Sequence, residues 1–261
     1  MGKKFLGLMA LTLAVTVSRA GAELRDFVVL KTGADGKTTV SGNAALAEQK
    51  FTPASTFKVL IAWAALEEGL VTPETKHLVK DQFVPGAPRE LDLHDALYFS
   101  SNDYFDWLGK KLGREKLEKY LTRSGYAGGQ APQGWLDDMD AVERGGSLTI
   151  TPRENHEFMR RLEKADLYSS RKVGYDLMRV LRWPADSDKV SLMGKTGSAD
   201  GALWFNGCGV AFLSAEIVTV FAKGSVELRP LVIQKFYDQF GLKFNEAWLK
   251  EYPADNGVKT P

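Results

Sequence analysis

Apolar residues repeat along this chain with two different periods. At the amino end, 24–31 (Leu-Arg-Asp-Phe-Val-Val-Leu-Lys) reads as a strand. Thr32-Gly33-Ala34-Asp35-Gly36 then reads as a turn, and 37–40 can pair back as a hairpin. A run from Val59 to Leu66 is apolar all round, which predicts a buried helix beginning near Ser55 and stopping at about Gly69. Helical spacing follows over 93–112, 114–124, 152–163 and 170–182, with Thr151-Pro152 as an N-cap and first-turn proline. After Pro184 the period changes. Segments 190–196, 204–213 and 216–222 read as three antiparallel strands, and 229–240 as a closing helix. Strands at both ends around a helical middle predict an α+β domain with a helical subdomain inserted in the chain. No internal repeat interrupts this pattern.

The first residues follow another logic. Met1-Gly2-Lys3-Lys4 precedes an apolar stretch from Phe5 to Val15, too short to span a bilayer comfortably, and Ala20-Gly21-Ala22 supplies a cleavage signal. Residues 1–22 are expected to be a secretory signal peptide and 23–261 the working domain, in the periplasm or outside the cell. An uncleaved membrane anchor is the alternative. No cysteine follows the apolar stretch, which argues against a lipoprotein, and no later stretch reads as a membrane span.

The formal net charge is +1. Losing Lys3, Lys4 and Arg19 with the leader turns it slightly negative, so nothing points to nucleic acid or an anionic surface. The single cysteine, Cys208, has no disulfide partner and sits in an apolar run. His77, His94 and His156 share no metal-binding spacing, so no metal is expected.

Chemistry concentrates at three short motifs. Pro53-Ala54-Ser55-Thr56-Phe57-Lys58 opens the buried helix, and a serine and lysine three apart share one helix face. A serine hydroxyl needs a base, and a lysine in an apolar pocket can act as one. Ser55 and Lys58 are therefore candidate nucleophile and base. A capping serine with a solvated lysine is the alternative, and the flanking Phe57 and Trp63 weigh against it. Ser100-Ser101-Asn102 falls at a turn, and Lys195-Thr196-Gly197 ends a strand-like run. Ser169-Ser170-Arg171-Lys172 and Ser41-Gly42-Asn43 also fit the first two patterns, but neither is followed by both other motifs.

The ordered trio resembles the penicillin-recognising serine acyltransferases, which include serine β-lactamases and penicillin-binding proteins. The first motif, Leu91-Asp92-Leu93-His94-Asp95-Ala96-Leu97, the stretch Gly113–Leu121 and Leu148-Thr149-Ile150-Thr151-Pro152 are most similar to class D β-lactamases. The resemblance spans roughly 45–240. It implies a β-lactamase/transpeptidase-like fold, with an antiparallel sheet flanked by terminal helices. It also implies roles. Ser55 forms an acyl-enzyme and Lys58 takes its proton. The backbone N–H groups of Ser55 and Ser198 hold the oxyanion. Ser100 passes a proton to the leaving nitrogen. Lys195, Thr196 and Arg229 bind a substrate carboxylate, and Gly197 lets substrate approach the strand. Read without the resemblance, Ser100 is an ordinary turn residue and Arg229 an ordinary helix-start arginine.

Three departures from class D qualify the resemblance. The second motif is S-x-N, with Asn102, where class D has S-x-V; class A enzymes and penicillin-binding proteins carry the asparagine. Tyr126-Ala127-Gly128 replaces a Tyr-Gly-Asn loop. Glu143 falls where class D has a tryptophan, and Trp135 lies earlier; either is a candidate for supporting Lys58 or the deacylating water. The class D lysine carries CO2 as a carbamate. Here Asn102 makes the pocket polar, and a Glu143 carboxylate beside Lys58 would favour the ammonium, so carbamylation is expected to be weak or absent and deacylation slow. Three functions follow: a β-lactamase; a D,D-peptidase or transpeptidase that acts on D-Ala-D-Ala peptides and is trapped by β-lactams; or a non-catalytic β-lactam-binding module. No cofactor beyond that carbamate is implied.

Overall fold

A computed structural model describes residues 23–137, 139–212 and 214–253. The expected signal peptide lies outside them. In chain order the elements are β1 (Phe27–Thr32), β2 (Thr38–Gly42), α1 (Lys58–Glu67), β3 (His77–Val79), β4 (Arg89–Leu91), α2 (Leu93–Tyr98), α3 (Asn102–Leu112), α4 (Arg114–Ser124), α5 (Pro152–Glu163), α6 (Arg171–Val180), β5 (Arg182–Trp183), β6 (Val190–Ala199), β7 (Ala202–Ala211), β8 (Ser214–Lys223) and α7 (Arg229–Asp238).

Six strands form one antiparallel sheet in the order β2-β1-β8-β7-β6-β5, and β3 pairs with β4 in a separate ribbon. Each face of the large sheet carries a helix. Neighbouring strand residues point to opposite faces. Phe205 of β7 stacks on Phe236 of α7, while the next residue, Asn206, bonds to Asn155 of α5. The expected antiparallel sheet with flanking helices is present. One face is covered by α7, near the end of the described residues. The other face is covered by α5, from the middle of the chain, whose amphipathic stripe places Asn155, His156, Phe158, Met159 and Leu162 inward.

The first helix sits at the centre. Every residue of α1 from Lys58 to Leu66 is buried, as its all-round apolarity requires. It packs against α3, α4 and α6. The predicted helical periods are present, with two breaks. Segment 93–112 splits into α2 and α3 at the turn that carries the second motif, and 170–182 stops at Val180 so that Arg182 and Trp183 can pair with Met193 and Leu192 of β6. That short pairing matters for function. β5 covers only the beginning of β6, and among the described residues no strand pairs with the outer edge of β6 from Lys195 onward. An edge of this kind can bond a ligand's backbone-like groups.

Candidate active site

Ser55 does not lie in the α-helix proper. Residues Ala54–Phe57 form a 3-10 turn, and α1 begins at Lys58. Side chains three apart eclipse in 3-10 geometry, so the lysine still reaches the serine: Lys58 Nζ lies 3.2 Å from Ser55 Oγ. The turn is tight. Ala54 has φ +49°, an unfavourable value for a residue with a Cβ. It is held by the Thr56 N–H and hydroxyl, both donating to the Pro53 carbonyl at 3.1 and 2.7 Å.

Lys58 is fully buried. Its Nζ donates to the Ser100 carbonyl at 2.8 Å and to Asn102 Oδ1 at 2.6 Å, besides Ser55. Burial pushes its pKa down to about 7, against the opposing pull of the Glu143 and Asp81 carboxylates. The Glu143 charge favours the ammonium, as expected, but desolvation outweighs it. Near neutrality much of Lys58 is a free amine, able to take a proton. The pocket was also expected to bear on carbamylation. The Ser100 carbonyl and Asn102 Oδ1 both accept a hydrogen from Nζ, and a carbamate nitrogen keeps only one while adding an anion next to these two oxygens. The residues present fit an amine or ammonium and do not fit a carbamate.

The second motif projects from the turn between α2 and α3. Ser100 has φ +61°. That conformation turns its carbonyl to Lys58 and its hydroxyl to Lys195, whose Nζ donates to Ser100 Oγ at 2.8 Å. The hydroxyl proton is therefore free to point into the cleft. Asp81 stabilises the turn. Its carboxylate accepts the Asn102 N–H at 3.1 Å, the Asp103 N–H at 3.3 Å and the Ser101 hydroxyl. An anion at the start of α3 also complements the helix dipole. Asp81 was not among the sequence candidates. It comes from a loop distant in the chain, and no local pattern marks it.

Lys195 is fully buried, and burial together with the nearby Lys58 and Arg229 charges sets its pKa well below the ordinary lysine range. It also donates to the Thr196 carbonyl at 2.9 Å. Arg229, at the start of α7, donates to Thr196 Oγ1 at 3.0 Å, and its Nε has no hydrogen-bond partner among the described residues. Gly197 has a reason beyond ligand access. A Cβ there would lie 3.1 Å from both Thr56 N and Thr56 Cγ2, and 3.2 Å from the Pro53 carbonyl oxygen. Glycine is what lets β6 press directly against the nucleophile's turn.

These residues share one cleft of about 330 Å³, lined by Ser55, Ser100, Asn102, Thr196, Gly197, Ser198 and Arg229, with Phe83, Tyr98, Phe99, Val226 and Leu249 as an apolar wall. Two roomier hollows, of about 740 and 590 Å³, lie along Arg114–Trp135 and around Glu154–Arg161 and carry none of the motif residues.

The two remaining candidates part company. Glu143 is buried, with Oε2 lacking a hydrogen-bond partner among the described residues. Burial raises its pKa, while the charges of Lys58 and Arg144 lower it. Trp135 is committed elsewhere. Its indole N–H donates to Glu118 at 3.2 Å and its ring meets the edge of Phe57, so it supports the far side of the nucleophile's turn rather than Lys58.

The model of the penicillin binding protein transpeptidase domain matches residues 29–169, more than half of the chain. The chain belongs to this family of penicillin-recognising serine enzymes. The regulatory protein BlaR1 of Bacillus licheniformis is 29% identical over 169 residues, covering 60% of this chain and 27% of its own. The probable β-lactamase YbxI of Bacillus subtilis is 30% identical over 185 residues, 67% of this chain and 64% of its own. The chain thus spans less than two thirds of the length of either relative. The crystal structure of the class D β-lactamase YbXI from Nostoc superposes with a TM-score of 0.71 at 25% identity, covering 83% of this chain and 94% of that one. The fold is the β-lactamase/transpeptidase fold.

Proposed function

We propose that this protein is a serine hydrolase of the β-lactamase type, which opens penicillins through an acyl-enzyme at Ser55. One observation carries the reading. Ser55, Lys58, Ser100 and Lys195 form a single hydrogen-bonded set, the serines lining one cleft and the lysines buried behind them, with a free strand edge and an arginine beside it.

Each step has a resident group. Lys58, as amine, takes the Ser55 proton while Oγ bonds to the lactam carbonyl carbon. The N–H groups of Ser55 and Ser198 face the oxygen on which charge develops. The C–N bond breaks as Ser100 passes its hydroxyl proton to the nitrogen and Lys195 supplies a replacement. Arg229 and Thr196 hold the substrate carboxylate, the arginine with donors to spare. Water then releases the acid. We assign assistance in that step to Glu143, a buried acid whose charge is felt at Lys58.

A second reading, a D,D-peptidase acting on D-Ala-D-Ala peptides and slow to release β-lactams, is favoured by the contact between Lys58 and Asn102. In both, Lys58 works as a free amine. The non-catalytic binding module has on its side only the likeness to the regulatory protein BlaR1. The leader-like amino terminus supports action outside the cytoplasm, in the periplasm or medium, where β-lactams and cell-wall peptide occur, and a β-lactamase there would confer antibiotic resistance. Among the described residues no helix is long and apolar enough to cross a membrane.

The test is purified protein with a chromogenic cephalosporin and, in parallel, intact-mass spectrometry with penicillin. Many turnovers, with an adduct lost in Ser55→Ala, support hydrolysis. One stable adduct without turnover selects the peptidase reading. An adduct that survives Ser55→Ala refutes both.

A further inference from the structure

A file of polar side chains crosses the core beneath α5, where apolar residues would pack as well. Thr32, Asn155, His156, Asn206 and Thr219 are each at most 3% exposed. None of them lines the cleft, and they come from β1, α5, β7 and β8. Buried polar groups are costly unless bonded; here each one is.

The direction of every bond in this file is fixed. Asn206 Nδ2 lies 2.8 Å from the Asn155 carbonyl, which can only accept, so that atom is the amide nitrogen. It also donates to Asn155 Oδ1 at 2.7 Å, so Asn155 Nδ2 must donate onward to Thr56 Oγ1, at 3.1 Å. Thr56 in turn donates to the Pro53 carbonyl. In the other direction Asn206 Oδ1 accepts from Thr219 Oγ1 at 2.6 Å. That hydroxyl has spent its proton, so His156 Nδ1, 3.0 Å away, is the donor and carries the ring hydrogen. Nε2 of the neutral ring accepts from Thr32 Oγ1 at 2.7 Å, and Thr32 accepts from Thr38 Oγ1 at 2.7 Å on the exposed strand β2. All donors point one way, from the surface to the turn that carries Ser55. Bonds aligned head to tail polarise one another.

The file ends at the point where the two halves of the site meet. Thr56 and the Pro53 carbonyl are the groups against which Gly197 is pressed. Whatever positions Thr56 therefore sets the spacing between Ser55 and the Gly197–Ser198 edge, which is the spacing of the two N–H groups offered to the oxyanion.

We propose that the hydrogen-bond file from Thr32 through His156, Thr219, Asn206 and Asn155 to Thr56 is a positioning device for acylation, acting on the nucleophile's turn without touching substrate. The proposal rests on acylation at Ser55. Small misplacements made far from the chemistry can cost up to ~100-fold in rate.

Penicillin adduct formation is followed by quenched intact-mass spectrometry over a range of penicillin concentrations, giving a limiting acylation rate and a binding constant. Melting of each variant is followed in parallel. Thr219→Val should lower the limiting rate about tenfold or more, with the binding constant within about twofold of wild type. Thr219→Ser should restore the rate. Thr219→Val combined with Thr56→Val should be no slower than Thr56→Val alone, because both cut one file. A Thr219→Val protein that melts lower but acylates at the wild-type limiting rate would overturn the proposal. So would losses that simply multiply in the double variant. If Thr219→Val shows no cooperative melt, Thr32→Val, further along the file, is read in the same way and judged by the same outcomes. Wild-type protein that forms no adduct would instead defeat the acylation reading itself.

Discussion

Replacing Asn102 by valine should move the acylation pH profile in a known direction. In the native site Asn102 Oδ1 is the shortest of three acceptors at Lys58 Nζ, at 2.6 Å. It binds the ammonium more strongly than the amine, so its loss favours the neutral form. A hydrogen bond to a charged group is worth about 1.5–3 kcal/mol. One pKa unit corresponds to about 1.4 kcal/mol. The Lys58 pKa, about 7 in the native protein, should therefore drop by about one to two units. The assay is kcat/KM for a chromogenic cephalosporin from pH 4.5 to 9, or the acylation rate if turnover is slow. Its acid limb reports ionisation of the free enzyme. That limb should lie near neutrality in wild type and shift acidward by about one to two units in Asn102→Val. Asn102→Asp, which puts a carboxylate in the same place, should shift it alkaline. Limbs that coincide in all three proteins, or that shift in the opposite order, would show that Lys58 is not the acylation base.

Three further outcomes are expected. Added bicarbonate should leave wild-type turnover unchanged, and carbon-13 NMR should show no lysine carbamate, whereas Asn102→Val should gain both a bicarbonate response and a resonance that vanishes with Lys58→Ala. Arg229→Ala should weaken capture of anionic β-lactams by about 1.5–3 kcal/mol, read as kcat/KM, with little change for an analogue whose carboxylate is esterified. Burial lowers the His156 pKa from 6.5 to about 4, the Glu157 charge opposing and Arg153 and Arg160 assisting. Between those values the unfolded chain is protonated and the fold is not, so stability should fall as pH drops from about 6.5 towards about 4, by up to about 3 kcal/mol. Urea unfolding at pH 7 and 4.5 measures this, and His156→Gln should flatten the slope.

The helices were legible where local signals bracket them. Gly113 and Gly125, both with positive φ, enclose α4 at the expected bounds, and the Thr151–Glu154 capping box opens α5. The two-residue β5 and the ribbon β3–β4 are too short to carry a period, and pairing alone creates them. The same division holds at the site. Ser55 and Lys58 are neighbours in sequence, so turn geometry alone joins them. Asp81 reaches Asn102 from 21 positions away, and Asn155 reaches Thr56 from 99. Asn206 and Thr219 did leave a trace as polar residues within apolar strands, but nothing local says which face they take or whom they meet. The balance at Lys58 between burial and the Glu143 charge is not legible in the sequence for a related reason. It depends on how completely the fold excludes water, which is a property of the whole core.

Two buried lysines and a half-buried arginine converge on the cleft. Folding brings together three basic groups that the unfolded chain would keep apart in water, and burial disfavours their charge. An anion among these groups would favour their charged forms, so a bound carboxylate would complete the electrostatics of the site as well as occupy it. On the proposed function, recognition and folding would share one free-energy account: a ligand anion would act as a structural residue supplied from outside.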